Sequence, residues 1–227
     1  ECDDEGKGFG AGVNASPLSL FAMSEIFFPV FFINSNTKEV QTMSFYVIDV
    51  ESDGQILGRN SLVCFGAVRL DNELQTTFYG KTRPISEEYD GEALAVSGFS
   101  RSEHESFDDP KLVFERFGEW IEETNLKGRP ILIADNNGYD ASWINWYFLT
   151  YSGTNPFGYS SRRISDLWCG FKNDTKMQWK WMRSQEFTDK DGRLHTGFPH
   201  THNPVEDALG NAHALLYMIN EGLNLKL

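Results

Sequence analysis

The 227 residues carry a formal net charge of −13 and are 40% hydrophobic and 14% aromatic. This composition is typical of a globular protein and excludes a largely disordered chain. The negative charge argues against broad, charge-driven binding to long nucleic acid, because the phosphates would be repelled. It does not exclude a short strand held by bound cations and a local basic surface.

Residues 1–42 differ in character from the rest of the chain. The apolar stretch at 19–33 is interrupted by Glu25 and Pro29, so it is too broken to cross a bilayer, and no basic segment of a signal peptide precedes it. We therefore expect an N-terminal extension of uncertain role, a functional domain at 43–227, and no membrane segment. The three cysteines form no C-x-x-C pattern, which favours a reduced, cytoplasmic protein without a zinc site.

Runs of apolar residues predict the elements of that domain in chain order. Strands are expected at 44–50, 61–70 and 73–80, and a turn at Asp71-Asn72 predicts an antiparallel meander. The later pattern predicts a helix at 110–124, a buried strand at 130–134, and helices at 139–150 and 204–220. This order predicts an α/β fold in which helices cover a mixed sheet.

Two carboxylates end the first predicted strand. Asp49 and Glu51 are two residues apart and therefore project from one face of the strand, whereas Val50 projects from the other. Two like charges this close are tolerable when a cation lies between them. A chance acidic strand end is the alternative, and we interpret the second D-x-E, at 71–73, as a solvated turn of that kind.

Two further carboxylates lie near the starts of predicted helices. Asp140 is at the start of the helix at 139–150, and Asp207 is in the first turns of the last helix, where the helix dipole favours an anion. Carboxylates are the ligands that Mg²⁺ and Mn²⁺ prefer. Because two such ions can bind one scissile phosphate from both sides, the four carboxylates together predict phosphodiester chemistry.

A histidine precedes the last helix. His202 lies five residues before Asp207, where it can act as a general base on the attacking water. His200 is the alternative for this role. Glu206 is the alternative to Asp207 as a ligand, but with Asn203 it is expected to form a capping box at the helix start.

In order and spacing, these residues resemble the motifs of the DEDDh branch of the DnaQ-like 3′-to-5′ exonucleases, which have a ribonuclease H-like fold. The resemblance covers residues 43 to about 220, and the H-x(4)-D spacing distinguishes this branch from the one that uses a tyrosine. The matching residues are Asp49 and Glu51 in the first motif, Asp140 in the second, and His202 and Asp207 in the third. One departure is Asp135-Asn136-Asn137, which stands where the second motif often has His-Asn.

The resemblance implies two divalent cations, Mg²⁺ or Mn²⁺, with Asp49 shared, Glu51 and Asp207 on one, Asp140 helping the other, and His202 as the base. It implies hydrolysis of single-stranded DNA or RNA from the 3′ end to nucleoside 5′-monophosphates, and it makes a homodimer plausible. The alternative is a catalytically inactive nucleic-acid-binding module on the same fold.

The resemblance also implies substrate contacts. Ser52 stands where the family often contacts the terminal nucleotide, and Gly98 and Phe99 lie in a segment similar to the one that packs near the terminal base. Phe99 could equally fill the core. Between 162 and 195 basic residues alternate with aromatic ones, which suits a single strand, although core aromatics beneath a solvated surface would give the same pattern. DNA and RNA are not distinguished.

Overall fold

A computed structural model describes residues 43–225 and Leu227, so the extension expected at 1–42 lies outside the described residues. The described part contains a five-stranded sheet, a small two-stranded sheet, six α-helices and one 3₁₀ helix at Lys180–Ser184. The strands are β1 (Phe45–Ser52), β2 (Leu62–Arg69), β3 (Thr77–Lys81), β4 (Ile131–Ala134), β5 (Ser161–Arg163), β6 (Phe187–Thr188) and β7 (Leu194–His195). The helices are α1 (Gly91–Val96), α2 (Arg101–Glu105), α3 (Pro110–Thr124), α4 (Asp140–Tyr151), α5 (Ile164–Lys172) and α6 (Pro204–Asn220).

The large sheet has the strand order β3-β2-β1-β4-β5. β1, β2 and β3 are antiparallel neighbours, whereas β4 and β5 run parallel to β1. The predicted antiparallel meander and mixed α/β sheet are therefore confirmed. In the described residues no helix is long and apolar enough to cross a membrane.

The third strand begins later than predicted. The pattern placed it at 73–80, but β3 starts at Thr77. The carboxylate of Asp71 accepts hydrogen bonds from the backbone N–H groups of Glu73, at 2.9 Å, and Leu74, at 2.8 Å, and Leu74 has a φ of 52°. The turn therefore continues through Leu74, a conformation that no strand residue adopts.

Each face of the sheet is covered by its own core. On one face Val47 and Val68 share a cluster with Leu215 of α6, and on the other Tyr46 and Phe65 pack with the aromatic residues of α3 and α4. Because successive strand residues alternate between the faces, Asp49 and Glu51 lie on the same face as Val47, which is the α6 face. This alternation directs both carboxylates toward α6.

Asn203 caps the N-terminus of α6 as predicted, with one difference. The side chain of Asn203 accepts from the N–H groups of Val205, at 3.0 Å, and Glu206, at 3.4 Å, and Pro204 occupies the first turn. The expected return bond from the Glu206 side chain to the Asn203 backbone is not among the hydrogen bonds of the described residues. The cap is therefore a single asparagine and not a capping box.

Candidate active site

Three carboxylates meet at the end of β1. Oxygen atoms of Asp49, Glu51 and Asp207 all lie within 4.8 Å of one another. Asp207 is completely buried, and the side chain of Glu51 is 14% exposed. The strand supplies the first two and the first turn of α6 supplies the third, so residues far apart in sequence form one compact acidic group.

The close approach of α6 to the sheet depends on a glycine. Gly66 of β2 is the cross-strand partner of Asp49, and a Cβ built on Gly66 would lie 2.2 Å from the Pro204 carbonyl oxygen and 2.4 Å from the Val205 nitrogen. Only a residue without a side chain permits this contact. It places the first turn of α6, and with it Asp207, beside Asp49.

The environment of this group opposes ionisation. Burial raises the pKa of Asp49 well above its usual value, and the charges of Asp140, Asp207 and Glu51 raise it further. Burial and the charge of Asp207 raise the pKa of Glu51 to about 7. Carboxylates placed so that they disfavour one another's charge are typical of a cation site, because a bound cation restores the ionised form.

Asp140 occupies the first position of α4 and is buried. One carboxylate oxygen accepts from the Asn136 N–H at 3.1 Å, and burial raises the pKa of the carboxyl to about 7, assisted by the charge of Asp135. Asp140 is outside the compact group of three, but its charge raises the pKa of Asp49. The structure therefore places all four predicted carboxylates in one electrostatic neighbourhood. Asp135, the departure from the family motif, pairs with Lys180 at 3.7 Å.

Both candidate histidines border this group. His202 Nδ1 lies 3.8 Å from Glu51 Oε1, and its backbone N–H donates to Asp207 Oδ2 at 2.9 Å. His200 Nδ1 lies 2.8 Å from the same Asp207 oxygen, and the two imidazole rings are 4.5 Å apart. The His202 side chain is 56% exposed, so its ring can meet a substrate that enters from solvent.

The residues expected to contact the substrate lie in different settings. Ser52 is buried, and its hydroxyl bonds to the Gly54 carbonyl and to the Tyr139 hydroxyl. Gly98 has a φ of 76° and follows Ser97, the C-cap of α1. Phe99 is half-buried, edge-on to Phe107 at 5.0 Å between ring centroids. Ser52 is therefore held by hydrogen bonds within the fold, Gly98 lies in a turn, and Phe99 keeps an exposed part beside a small apolar cluster.

The basic and aromatic stretch at 162–195 does not form one continuous surface. Trp168, Trp179 and Phe187 are buried in the core, whereas Trp181 is 48% exposed and packs edge-on against Tyr217. The basic residues are mostly engaged in pairs with nearby acids or aromatic rings. The core interpretation therefore accounts for most of the aromatics, and Trp181 remains available to a ligand.

Two largely buried polar residues, one following the first motif and one contacting Asp207, were not predicted. Asp53 continues the alternation of Asp49 and Glu51, but a break in the β1–β2 register after Glu51 turns it inward, where it accepts from the Ser61 N–H and faces Arg101 at 3.4 Å. Arg183 donates to Asp207 at 2.8 Å. The alternation could have suggested Asp53, whereas no local pattern points to Arg183.

The donor set fits hard divalent cations. Asp49, Glu51 and Asp207 present oxygen ligands within reach of one ion, and the charge of Asp140 acts on Asp49 from outside this group. A second cluster that could hold an ion, formed by His200, His202 and Asp207, shares the last carboxylate. The acidic cluster is therefore suited to Mg²⁺ or Mn²⁺, whose ligands are mainly oxygen.

The comparison with curated proteins gives a relative of clear similarity. The chain is 33% identical over 145 residues to a protein of Escherichia coli named 3′-5′ DNA exonuclease Cap18, and the match covers 63% of this chain and 75% of the relative. No protein-family model matches the chain.

Solved structures show the same fold at lower identity. The nuclease domain of 3′hExo, described as a DEDDh family member bound to rAMP, is 16% identical with a TM-score of 0.62, over 81% of this chain and 95% of that one. E. coli Exonuclease I in complex with a dT13 oligonucleotide is 16% identical with a TM-score of 0.52, over 80% of this chain and 41% of that one. These likenesses confirm the ribonuclease H-like fold that the sequence predicted.

Proposed function

The chain belongs to the DEDDh family of 3′-to-5′ exonucleases, and we propose that it degrades single-stranded DNA from the 3′ end to nucleoside 5′-monophosphates with two divalent cations. The observation that carries the proposal is the convergence of Asp49, Glu51 and Asp207 within 4.8 Å beside two histidines. As a family member the protein is a hydrolytic enzyme, so we do not adopt the alternative of an inactive binding module.

In the proposed mechanism the carboxylates divide the cations between them. Asp49, Glu51 and Asp207 would hold one ion, and Asp49 with Asp140 the other. When bound, such ions activate the attacking water and stabilise the charge of the leaving oxygen. The start of α6 and the end of β1 are rigid supports for these ligands, because their backbones are tied into the sheet and the helix.

His202 is the proposed general base. Its Nδ1 faces Glu51 Oε1 at 3.8 Å, so this carboxylate can orient the ring and stabilise the imidazolium while Nε2 accepts the proton of the water. The ring of His200 is instead engaged with Asp207 at 2.8 Å. The two side chains are equally exposed, 56% for His202 and 57% for His200, so the engagement of His200 with Asp207 is what favours His202 as the base.

Phe99, Ser52 and Gly98 are proposed to contact the terminal nucleotide, with Phe99 stacking on the base. The half-buried ring of Phe99 is held in a small apolar cluster by its edge-on contact with Phe107, and its exposed part is proposed to meet the base. DNA is proposed as the substrate because the relative that is 33% identical is named a DNA exonuclease. A short single strand also suits the charge of −13, which would repel a long duplex.

The test is degradation of 5′-labelled single-stranded DNA, single-stranded RNA and duplex DNA with Mg²⁺, Mn²⁺ or EDTA. We expect a ladder that shortens from the 3′ end of single-stranded DNA, mononucleotide products, and no reaction in EDTA. An oligonucleotide whose 3′ end is blocked by an inverted nucleotide should resist. Faster degradation of RNA would overturn the proposed substrate, and activity in EDTA would overturn the role of the cations.

A further inference from the structure

An arginine lies directly against the carboxylates of the proposed metal site. Arg183 belongs to the 3₁₀ helix, its side chain is 11% exposed, and Nη2 donates to Asp207 Oδ1 at 2.8 Å. Asp207 is in turn one of the three carboxylates within 4.8 Å. Because a guanidinium does not lose its proton in proteins, Arg183 is a permanent positive charge at the edge of this group.

The fold makes room for this guanidinium. Gly210 lies one turn after Asp207 on α6, and a Cβ there would be 2.5 Å from Arg183 Nη2 and 2.7 Å from Nε. The backbone of the arginine is also fixed, because its carbonyl accepts from the Phe198 N–H at 2.6 Å. The arginine therefore reaches Asp207 along a surface that only glycine leaves open.

The hydrogen bonds of Arg183 are few for a buried arginine. Nη2 makes one short bond, to Asp207, and its distances to the carbonyl oxygens of Pro199 and Asp207 are 3.5 and 3.4 Å. The buried Nε has no acceptor among the described residues. An arginine that served only to crosslink the fold would use more of its five donors. Its position is better explained by its charge, which lies 2.8 Å from one of the three carboxylates that converge within 4.8 Å.

The carboxylate of Asp207 is fully engaged by protein groups. Oδ1 accepts from Arg183 and from the Thr201 N–H at 3.0 Å, and Oδ2 accepts from the His202 N–H at 2.9 Å and faces His200 Nδ1 at 2.8 Å. Two carboxylate oxygens offer about four lone-pair sites. A cation that binds Asp207 must therefore compete with one of these partners.

We propose that Arg183 is a resident counter-cation of the carboxylate group, which competes with a divalent cation for Asp207 and so sets the metal concentration that the enzyme requires. This inference rests on the proposed function, in which Asp207 is a metal ligand. Arg183 acts through Asp207 and is a positioning residue. Its charge stabilises the carboxylates before the metal binds and repels the metal when it arrives.

The experiment is calorimetric titration of Mn²⁺ into the protein without nucleic acid. Replacing Arg183→Gln should tighten binding roughly tenfold, the effect that one removed charge has on a divalent ion a few ångströms away even at the dielectric constant of water. Arg183→Lys, which keeps the charge, should remain nearer to wild type. Arg193→Gln is the matched control, because Arg193 is on the same stretch but pairs with the exposed Glu73; it removes the same charge and should leave the affinity unchanged.

Gly210→Ala provides a second route, because the added Cβ displaces the guanidinium without removing its charge from the chain. It should also tighten Mn²⁺ binding, and it decides the question if circular dichroism shows that Arg183→Gln is unfolded. Unchanged or weaker binding in the folded variants, with wild-type binding still abolished by Asp49→Asn, would overturn the counter-cation role alone. Wild-type binding that survives Asp49→Asn would instead overturn the proposed metal site, and the inference with it.

Discussion

Gly66 and Asp49 are cross-strand partners, and the missing side chain of Gly66 is what allows α6 to approach Asp49. A Cβ on Gly66 would lie 2.2 Å from the Pro204 carbonyl oxygen, far inside van der Waals contact, and the obstructing atoms are backbone. The distance between the first and third motifs is therefore set by a residue that belongs to neither. If the contact between Gly66 and the first turn of α6 is lost, Asp49 and Asp207 remain in the sequence but no longer lie beside each other.

We expect Gly66→Ala to displace the start of α6 and to separate Asp207 from Asp49. Overpacking of this kind costs about 1–3 kcal/mol of stability, and a displacement of about 1 Å at an active site can cost about 100-fold in rate. The measurements are thermal unfolding and the rate of 3′-to-5′ degradation.

Gly118→Ala is the matched control, because a Cβ there would meet only a Phe148 ring carbon, at 3.8 Å, and alanine favours a helix over glycine. It should be neutral or stabilising, with full activity. If Gly66→Ala keeps both wild-type stability and wild-type rate, the spacing of the motifs does not depend on this glycine.

Asp49→Asn and Asp207→Asn should each lower hydrolysis by about 1,000-fold or more, because the proposed metal contribution is worth several kcal/mol. Asp49→Asn should also raise the melting temperature in EDTA, since it removes a carboxylate whose ionisation the fold opposes. Glu73→Gln, in the second D-x-E sequence, is the control: Glu73 is exposed and should affect neither quantity measurably. Normal turnover by either aspartate variant would exclude that residue as a metal ligand.

His202→Ala should lower the turnover number by roughly 100- to 10,000-fold, the usual contribution of a general base, with Mn²⁺ binding retained. His200→Ala should lower it less and should mainly alter metal binding, because His200 contacts the ligand Asp207 at 2.8 Å. Turnover and Mn²⁺ affinity, measured on both variants, separate the two roles. A larger loss of turnover in His200→Ala would transfer the role of the base to His200.

The placement of the acidic residues on their strand and helix could be predicted because it depends on local rules. Alternation on a strand directs Asp49 and Glu51 to one face, and an asparagine cap starts the helix that carries Asp207. The partners of these carboxylates could not be predicted in this way. Arg183 reaches Asp207 only because the 3₁₀ helix folds back over Gly210, a contact between segments whose sequences show no periodic pattern.

The same distinction holds for the fold. Long apolar runs identified β1, β2, α3, α4 and α6, but β5 was missed because its residues Ser161–Arg163 are polar and mostly exposed. The segment forms a strand because it pairs with the free edge of β4. Nothing in the sequence of Ser161–Arg163 itself predicts this pairing. The late start of β3 has a similar cause, since the side chain of Asp71 extends the preceding turn.

Phe99→Ala should raise KM with little effect on the turnover number. Stacking of one base on an aromatic ring is worth about 1–3 kcal/mol, so the expected rise in KM is roughly 5- to 150-fold. The control is Phe107→Leu, which alters the ring that supports Phe99 and should lower stability with a smaller effect on KM. If Phe99→Ala lowers stability and leaves KM unchanged, Phe99 fills the core and does not contact the base.

The acidic group should make the stability of the metal-free protein depend on pH. Burial raises the pKa of Glu51 and of Asp140 to about 7, from unfolded values of 4.5 and 3.8. A carboxyl with a raised pKa stabilises the fold fully below its unfolded pKa, and this stabilisation is lost as the pH rises toward 7. The buried His104, whose pKa burial lowers to about 4, changes stability in the opposite direction over part of this range.

The informative quantity is therefore the difference between wild type and the double variant Glu51→Gln, Asp140→Asn, in which both groups stay neutral. In EDTA the two proteins should have similar melting temperatures near pH 4, and the variant should become several degrees more stable by pH 8, since 1 kcal/mol corresponds to roughly 2–4 °C in a domain of this size. Saturating Mn²⁺ should reverse the order at pH 8, because only the wild type offers ionised ligands whose charge the cation offsets. Parallel melting curves across the whole pH range in EDTA would show that the fold does not oppose the ionisation of Glu51 and Asp140, and the electrostatic case for a cation beside them would fail.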